Sequence, residues 1–287
     1  MYPASFEYHR ASSVDDAIAL LGRFGEDAKV LAGGHSLIPV MKLRFATPAH
    51  LVDISRIASL AGISETAGTV VIGAMTRHAD VASSALVRTK AGLLAEAAGQ
   101  IGDPQVRNAG TIGGSLAHAD PSADLPAAML ALGATMIVTG KGGQRRVEAE
   151  AFFTNVFQTA LGAAEILTAV EVPIAGAGSG GAYEKHPDPA SGYAIVGVAA
   201  QLSVAGGKVA GARVAMTGLG AKPMRLTAVE AALTGQAAGA GSIDAAAAAA
   251  GAMAFAGDAK GSAAYKANLA RVFAKRALTR ALVRAMG

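Results

Sequence analysis

At 287 residues the chain is long enough for two or three compact units, and its 52% hydrophobic and 16% charged residues exclude a disordered polyelectrolyte. The absence of cysteine excludes disulfides, thiolate zinc sites and cysteine-ligated iron–sulfur clusters within this chain. The formal charge of +4 is modest, and no aromatic residue interleaves with the basic residues after Phe273, so nothing points to nucleic acid.

In chain order, the first ten residues show no basic stretch leading into an apolar core, so no secretory leader is expected. No apolar run approaches the roughly 20 residues of a membrane span; a cytoplasmic protein without transmembrane segments is the expectation. Ser13, with Asp16 three residues on, has the form of a capping box opening a helix whose apolar face is Ala17, Leu20, Leu21 and Phe24, stopped by Gly25. Residues 29–31 and 51–54 read as strands, making a β/α unit. Residues 70–75 read as a strand and Thr76 as the cap of another helix. Residues 93–101 are helical, 102–120 a long loop, 127–132 helical, and 135–139 and 166–172 strands, the last ended by Pro173.

The Gly/Ala/Ser-rich segment 175–181 reads as a linker. Two strands, 194–204 and 209–217, and helices beginning near Leu226, Ile243 and Ala264 follow, with a flexible connection around Gly239. Lys266, Arg271, Lys275, Arg276, Arg280 and Arg284 fall on the last helix. Of these, Arg276, Arg280 and Arg284, at i, i+4 spacing, form a basic stripe suited to an acidic partner surface. Strands and helices are partly segregated and no solenoid repeat is present, which points to an α+β architecture.

Two segments carry chemistry. Ala32-Gly33-Gly34-His35-Ser36 follows a strand directly; Thr111-Ile112-Gly113-Gly114-Ser115 is followed by Asp120 and Asp124. Paired glycines let backbone N–H groups approach an anion, and a hydroxyl adds a donor. One such loop suits one phosphate; two facing loops suit a pyrophosphate. Bulk at Gly33 or Gly114 would block the approach and disfavour a positive φ there. Gly176, Gly178 and Gly181 fit G-x-G-x-x-G but follow Pro173 and run into an extended Tyr183-Glu184-Lys185, so they lack the strand–helix context of a dinucleotide fingerprint. There is no Walker A sequence and no G-x-S-x-G elbow. No two of the six histidines have the i, i+4 spacing of a helical zinc site, and no metal site is expected. His35 and His118, within the glycine-loop regions, are candidates for ligand contact or plain loop histidines.

The two glycine loops, in that order, together with Phe6-Glu7-Tyr8 and Asp103-Pro104-Gln105-Val106-Arg107-Asn108, resemble the FAD-binding subunits of molybdenum hydroxylases. The likeness is to the medium subunits of aerobic carbon monoxide dehydrogenases and the flavin domain of xanthine dehydrogenases, and it covers essentially the whole chain. It implies the FAD-binding fold of the vanillyl-alcohol-oxidase type: two α/β subdomains, 1–55 and 56–177, and a C-terminal antiparallel sheet with helices, 178–287. It further implies that Ala32, Gly33, Gly34, His35, Ser36 and Leu37 hold the FAD diphosphate from one side and Thr111, Gly114 and Ser115 from the other. Asp124 matches an aspartate bonding ribityl or ribose hydroxyls; Leu167, Lys185 and Tyr193 match flavin-contacting positions, with Lys185 the available positive charge.

In this family a large subunit oxidises the substrate at a molybdenum cofactor, and a small subunit carries two [2Fe–2S] clusters. The FAD subunit relays the electrons to an external acceptor, and the assembly is a dimer of heterotrimers. Two features depart from the carbon monoxide dehydrogenase pattern. His186-Pro187-Asp188-Pro189-Ala190-Ser191-Gly192 replaces a basic stretch and is more similar to relatives acting on aldehydes or N-heterocycles, and Ser115 stands where many relatives have asparagine. The alternatives are a stand-alone FAD oxidase, whose covalent flavin link could only run through a residue such as His35, and a non-enzymatic nucleotide-binding module.

Overall fold

The computed structural model describes residues 1–287. In chain order the N-terminal part contributes β1 (Glu7–Arg10), α1 (Val14–Phe24), β2 (Ala28–Leu31), α2 (Leu37–Lys42) and β3 (His50–Asp53). The three strands form a parallel sheet, β1-β3-β2. Ser13 caps α1 by accepting from the Asp16 amide, and Gly25 ends it at φ +58°. The reciprocal half of the expected capping box shifts by one residue: the Asp16 carboxylate accepts from the amide and hydroxyl of Ser12, not of Ser13. Ala17, Ile18 and Leu21 bury the inner face against Val52, Ile54 and Ile57. Strand β1 was not expected, because Glu-Tyr-His-Arg has no apolar alternation; its pairing with β3 holds it.

The middle part holds β4 (Ile63–Thr66), β5 (Thr69–Gly73), α3 (His78–Ser83), α4 (Ala85–Lys90), α5 (Gly92–Gly99), α6 (Pro104–Ala109), α7 (Ile112–His118), α8 (Asp124–Leu132), β6 (Thr135–Gly140), β7 (Gly143–Glu148), α9 (Ala149–Phe152), β8 (Phe153–Asn155), β9 (Gln158–Thr159) and β10 (Glu165–Pro173). Its antiparallel sheet runs β4-β5-β10-β6-β7, with β8 and β9 a separate hairpin.

Two expectations are corrected here. The segment 102–120 is not a long loop but two short helices, each with its own cap: Asp103 accepts from the Val106 amide, and Thr111 from the Gly114 amide. And Thr76 caps no helix. Its hydroxyl exchanges hydrogen bonds with Gly62, and α3 begins after Arg77.

The C-terminal part is the antiparallel sheet β11 (Ser179–Pro187), β12 (Ala194–Ala205), β13 (Lys208–Thr217) and β14 (Met224–Arg225), in that order, covered by α10 (Thr227–Leu233), α11 (Ala240–Gly251) and α12 (Ala263–Met286). The segment after Pro173 leads into the extended β11 and not into a helix, as its sequence context required.

Helix α8 is buried along all nine of its residues, packed against α5 on one side and β12 and β13 on the other. Such all-round burial calls for an apolar helix, and 124–132 has one polar residue, Asp124, at its start. The basic residues of α12 are largely engaged within the chain. Arg280 bonds Glu184 and Glu96, Arg284 bonds Glu96, Arg276 lies over the Phe273 ring, and the Lys266 amine is buried on Asp258. Arg280 and Arg284 are thus tied to the chain's own acids, while all three arginines of the stripe keep part of their surface exposed.

Candidate functional site

The parallel β2 ends at Leu31, and the chain must turn sharply to enter α2. Gly34 makes that turn at φ +74°, a backbone region that side chains disfavour. The positive φ therefore falls on Gly34, not on Gly33 or Gly114 as expected. Gly33 is required for a different reason: a Cβ there would lie 2.2 Å from the carbonyl oxygen of Ala109 and 2.9 Å from the Cα of Gly110. The first glycine loop is thus seated backbone to backbone against the segment joining α6 to α7. Across the same junction, a Cβ on Gly114 would come 3.7 Å from that of Ala32 and 2.8 Å from the Thr111 hydroxyl.

The second glycine motif is the N-terminal turn of α7 and not a loop. The Thr111 hydroxyl accepts from the Gly114 amide at 3.1 Å, and Gly113 donates to Ala74. Its donors are largely engaged in the fold. The first loop differs. The successive amides of Gly33, Gly34, His35 and Ser36 donate to no acceptor within the chain, and His35 turns its Nδ1 to the Gly33 carbonyl at 3.1 Å. A run of N–H groups without internal partners, on a glycine turn leading into a helix, is a nest for an anion.

These segments border a cleft of about 520 Å³. Ala32, Gly33, Gly34, His35, Ser36 and Leu37 form one wall and Thr111, Gly114 and Ser115 the next. Asp124, Leu167 and Tyr193, the last from the loop between β11 and β12, complete it, so that the N-terminal, middle and C-terminal parts of the chain all reach the same cavity. Leu167 is placed there by an irregularity in β10, where the register with β6 shifts between Leu167 and Ala169; bulges commonly re-aim a side chain in this way. His118 also lines the cleft, its ring 5.1 Å from that of Phe157, and burial lowers its pKa.

Lys185 is the one expected site residue that does not border the cavity. Its amine is 2% exposed and donates to Asp124 Oδ2 and to the Gln100 carbonyl, each at 2.9 Å. The other oxygen of Asp124 accepts from the Tyr183 hydroxyl at 2.6 Å. Burial pushes the Asp124 carboxyl up, opposed by the Lys185 charge and the Tyr183 bond; burial, with Asp124 adding, pushes the Tyr183 phenol well up. Lys185 and Tyr183 therefore act on the cleft through Asp124, which they hold in place.

Sequence reasoning missed His78. It lines the cleft and is 4% exposed, and its Nδ1 is buried without any hydrogen-bond partner. Its ring packs on Gly110, where an added Cβ would sit 2.8 Å from it. Burial lowers its pKa to about 4, with His35 and Arg107 contributing, so it is a neutral imidazole at physiological pH. No spacing in the sequence singles it out, because its environment comes from Gly110, 32 positions away. Phe157, at φ +52° after β8, also borders the cleft and carries no sequence signal.

The features fit a dinucleotide: unpaired amides for a diphosphate, apolar walls for ring systems, and a fixed carboxylate for hydroxyls. Residues 4–175 match the family described as the FAD binding domain in molybdopterin dehydrogenase, and residues 181–281 the CO dehydrogenase flavoprotein C-terminal domain. The chain is 45% identical to the carbon monoxide dehydrogenase medium chain of Hydrogenophaga pseudoflava, covering 99% of both. It is 38% identical to the 6-hydroxypseudooxynicotine dehydrogenase complex subunit alpha of Paenarthrobacter nicotinovorans, covering 99% of this chain and 97% of that one. Among solved structures, the carbon monoxide dehydrogenase of Hydrogenophaga pseudoflava lacking the Mo-pyranopterin moiety superposes with a TM-score of 0.95 at 48% identity, over 99% of each chain.

Proposed function

Because the chain belongs to the family of FAD-binding subunits of molybdenum hydroxylases, we propose that the cleft where its N-terminal, middle and C-terminal parts meet is the FAD site, with the diphosphate on the amides of Gly33 to Ser36. The chain is the medium, electron-transfer subunit of an oxidoreductase complex with a large and a small partner. Electrons reach it from [2Fe–2S] clusters of a partner and leave to an external acceptor, and FAD, when bound, supplies that redox chemistry. The observation that carries the site assignment is the run of four successive amides without internal acceptors, seated against the α7 turn.

In this reading Thr111 and Ser115 flank the diphosphate from the second side, and Asp124, held by Lys185 and Tyr183, accepts from ribityl or ribose hydroxyls. Leu167 and Tyr193 wall the ring system. Lys185, behind Asp124, serves as a positioning group. The three larger sheets fall one each in units 1–55, 56–177 and 178–287, with the β8–β9 hairpin also within 56–177, which supports reading the units as the two FAD-binding subdomains and the C-terminal domain. The assembly is a dimer of heterotrimers in the cytoplasm; no helix of the chain is long and apolar enough to cross a membrane. Relatives named for carbon monoxide and for 6-hydroxypseudooxynicotine share this chain's architecture, so the substrate is set by the large subunit.

Reconstitution tests the relay role. The FAD-loaded chain alone should turn over neither carbon monoxide, aldehydes nor purines with a dye acceptor. The complex with molybdenum- and cluster-bearing subunits should turn over its substrate. Turnover by the lone chain at the rate of the complex would replace the relay with a stand-alone oxidase.

A further inference from the structure

Away from the cleft, three metal-ligating side chains converge on the N-terminal sheet. β1 and β3 run parallel, with Glu7 directly opposite His50. Side chains two apart on a strand share a face, so His9 joins Glu7 and His50 on one surface. The contacts follow: His9 Nε2 lies 3.1 Å from His50 Nδ1, Glu7 Oε2 lies 3.7 Å from His9 Nε2, and the same oxygen lies 3.4 Å from His50 Nδ1.

Those three separations have a specific geometric meaning. The point equidistant from the three atoms lies about 2.0 Å from each, which is the length of a zinc–imidazole or zinc–carboxylate bond. Lifting an ion slightly out of their plane gives the three legs of a tetrahedron, with the fourth direction open. The imidazoles are held for this. The Phe24 ring stacks on His50 at 3.8 Å and on His9 at 4.7 Å, so two of the three donors are fixed by packing before any ion arrives. The His9 and His50 side chains are 23% and 19% exposed, and Glu7 is 71% exposed, which leaves an entry path from solvent.

We propose that Glu7, His9 and His50 form a zinc-binding site, with two imidazole nitrogens and one carboxylate oxygen as ligands and water in the fourth position. Two imidazole nitrogens and a carboxylate oxygen are the donor set that suits a borderline divalent cation, and they disfavour calcium or magnesium, which take oxygen ligands. The ion clips β1 to β3, the central strand against which β2 and hence the Gly33 loop are built. The site stabilises the N-terminal sheet and takes no part in electron transfer. Its histidines are 41 positions apart on different strands, which is why no sequence spacing marks it.

The test uses the tag-free, full-length, FAD-loaded chain, stripped with a chelator and titrated with zinc by calorimetry and with cobalt(II) by visible absorption. One equivalent should bind in the micromolar range or tighter, with the absorption of four-coordinate cobalt, and zinc should raise the melting temperature. His9→Ala, His50→Ala and Glu7→Gln should each weaken binding by at least about tenfold, while His186→Ala, remote from the sheet, should not. Circular dichroism and flavin content confirm that each variant is folded. If either histidine variant fails to fold, Glu7→Gln, at an exposed position, decides alone. Absence of a saturable first equivalent would overturn the proposal, leaving a His–His–Glu hydrogen-bond network. So would zinc affinity in Glu7→Gln equal to that of the parent.

Discussion

The Lys185 amine and the Asp124 carboxylate meet at 2.9 Å with both side chains almost fully buried, tying the C-terminal sheet to the start of the central helix α8. Removing one partner of such a pair leaves an uncompensated charge in a poorly solvating interior. Asp124→Asn and Lys185→Met should each lower stability by about 3–5 kcal/mol. The double variant should lose less than the two singles combined. Urea denaturation of the four proteins gives the coupling, and strictly additive losses would show that the pair is not coupled.

The two glycine loops should differ in how they respond to bulk. Gly33→Ala places a Cβ 2.2 Å from a backbone carbonyl that cannot rotate away, so it should separate the first loop from the α6–α7 junction and abolish flavin binding. Gly114→Ala meets the Thr111 hydroxyl at 2.8 Å, a side chain that can move at the expense of its cap, worth about 1 kcal/mol. It should retain weakened flavin binding, and Gly114→Val should lose it. Flavin content measured beside circular dichroism checks the order; normal flavin in Gly33→Ala would move the diphosphate off this loop.

Acid stability should fall through His78. Its folded-state pKa is about 4 against an ordinary 6.5. Above pH 6.5 it is neutral in both states and contributes no pH dependence. As pH falls from 6.5 toward 4, the unfolded chain takes up a proton that the folded chain refuses, and stability drops. The full loss is about 3 kcal/mol, complete near pH 4. His78→Gln should flatten that part of the stability profile relative to the parent chain. Parallel profiles over this window would place the titration elsewhere.

Flavin should leave with acid. The His35 imidazole, the residue formally available for a covalent link, is turned onto the Gly33 carbonyl, and the chain has no cysteine. After acid precipitation all the yellow colour should appear in the supernatant; colour held in the pellet would establish a covalent bond.

Much of this was legible in the sequence because apolar periodicity and caps act locally. Ser13, Gly25 and the long strands 194–204 and 209–217 are examples. What failed depended on distant partners. Helix α6 is too short, and α7 too short and glycine-rich, to show a periodic face, although Asp103 and Thr111 are ordinary cap residues that could have located them. β1 is polar and exists through β3. In the site, the Gly-Gly turns are readable because the backbone itself forms the nest. His78 is not readable, because its surroundings come from Gly110, 32 positions away. The pairing of Arg280 and Arg284 was not readable, because the acids that hold them, Glu96 and Glu184, lie on other elements.

The cleft has one more consequence, for biosynthesis. Its walls come from the 32–37 loop, from the α7 turn and β10, and from Tyr193 in the last unit. A nascent chain emerges from its N-terminus, so the amides of Gly33 to Ser36 are made long before the wall that faces them. A cofactor touching every wall can be enclosed only once the C-terminal sheet has docked. With FAD in the proposed site, loading would then be a late event in maturation, joining stretches of chain that were synthesised in succession.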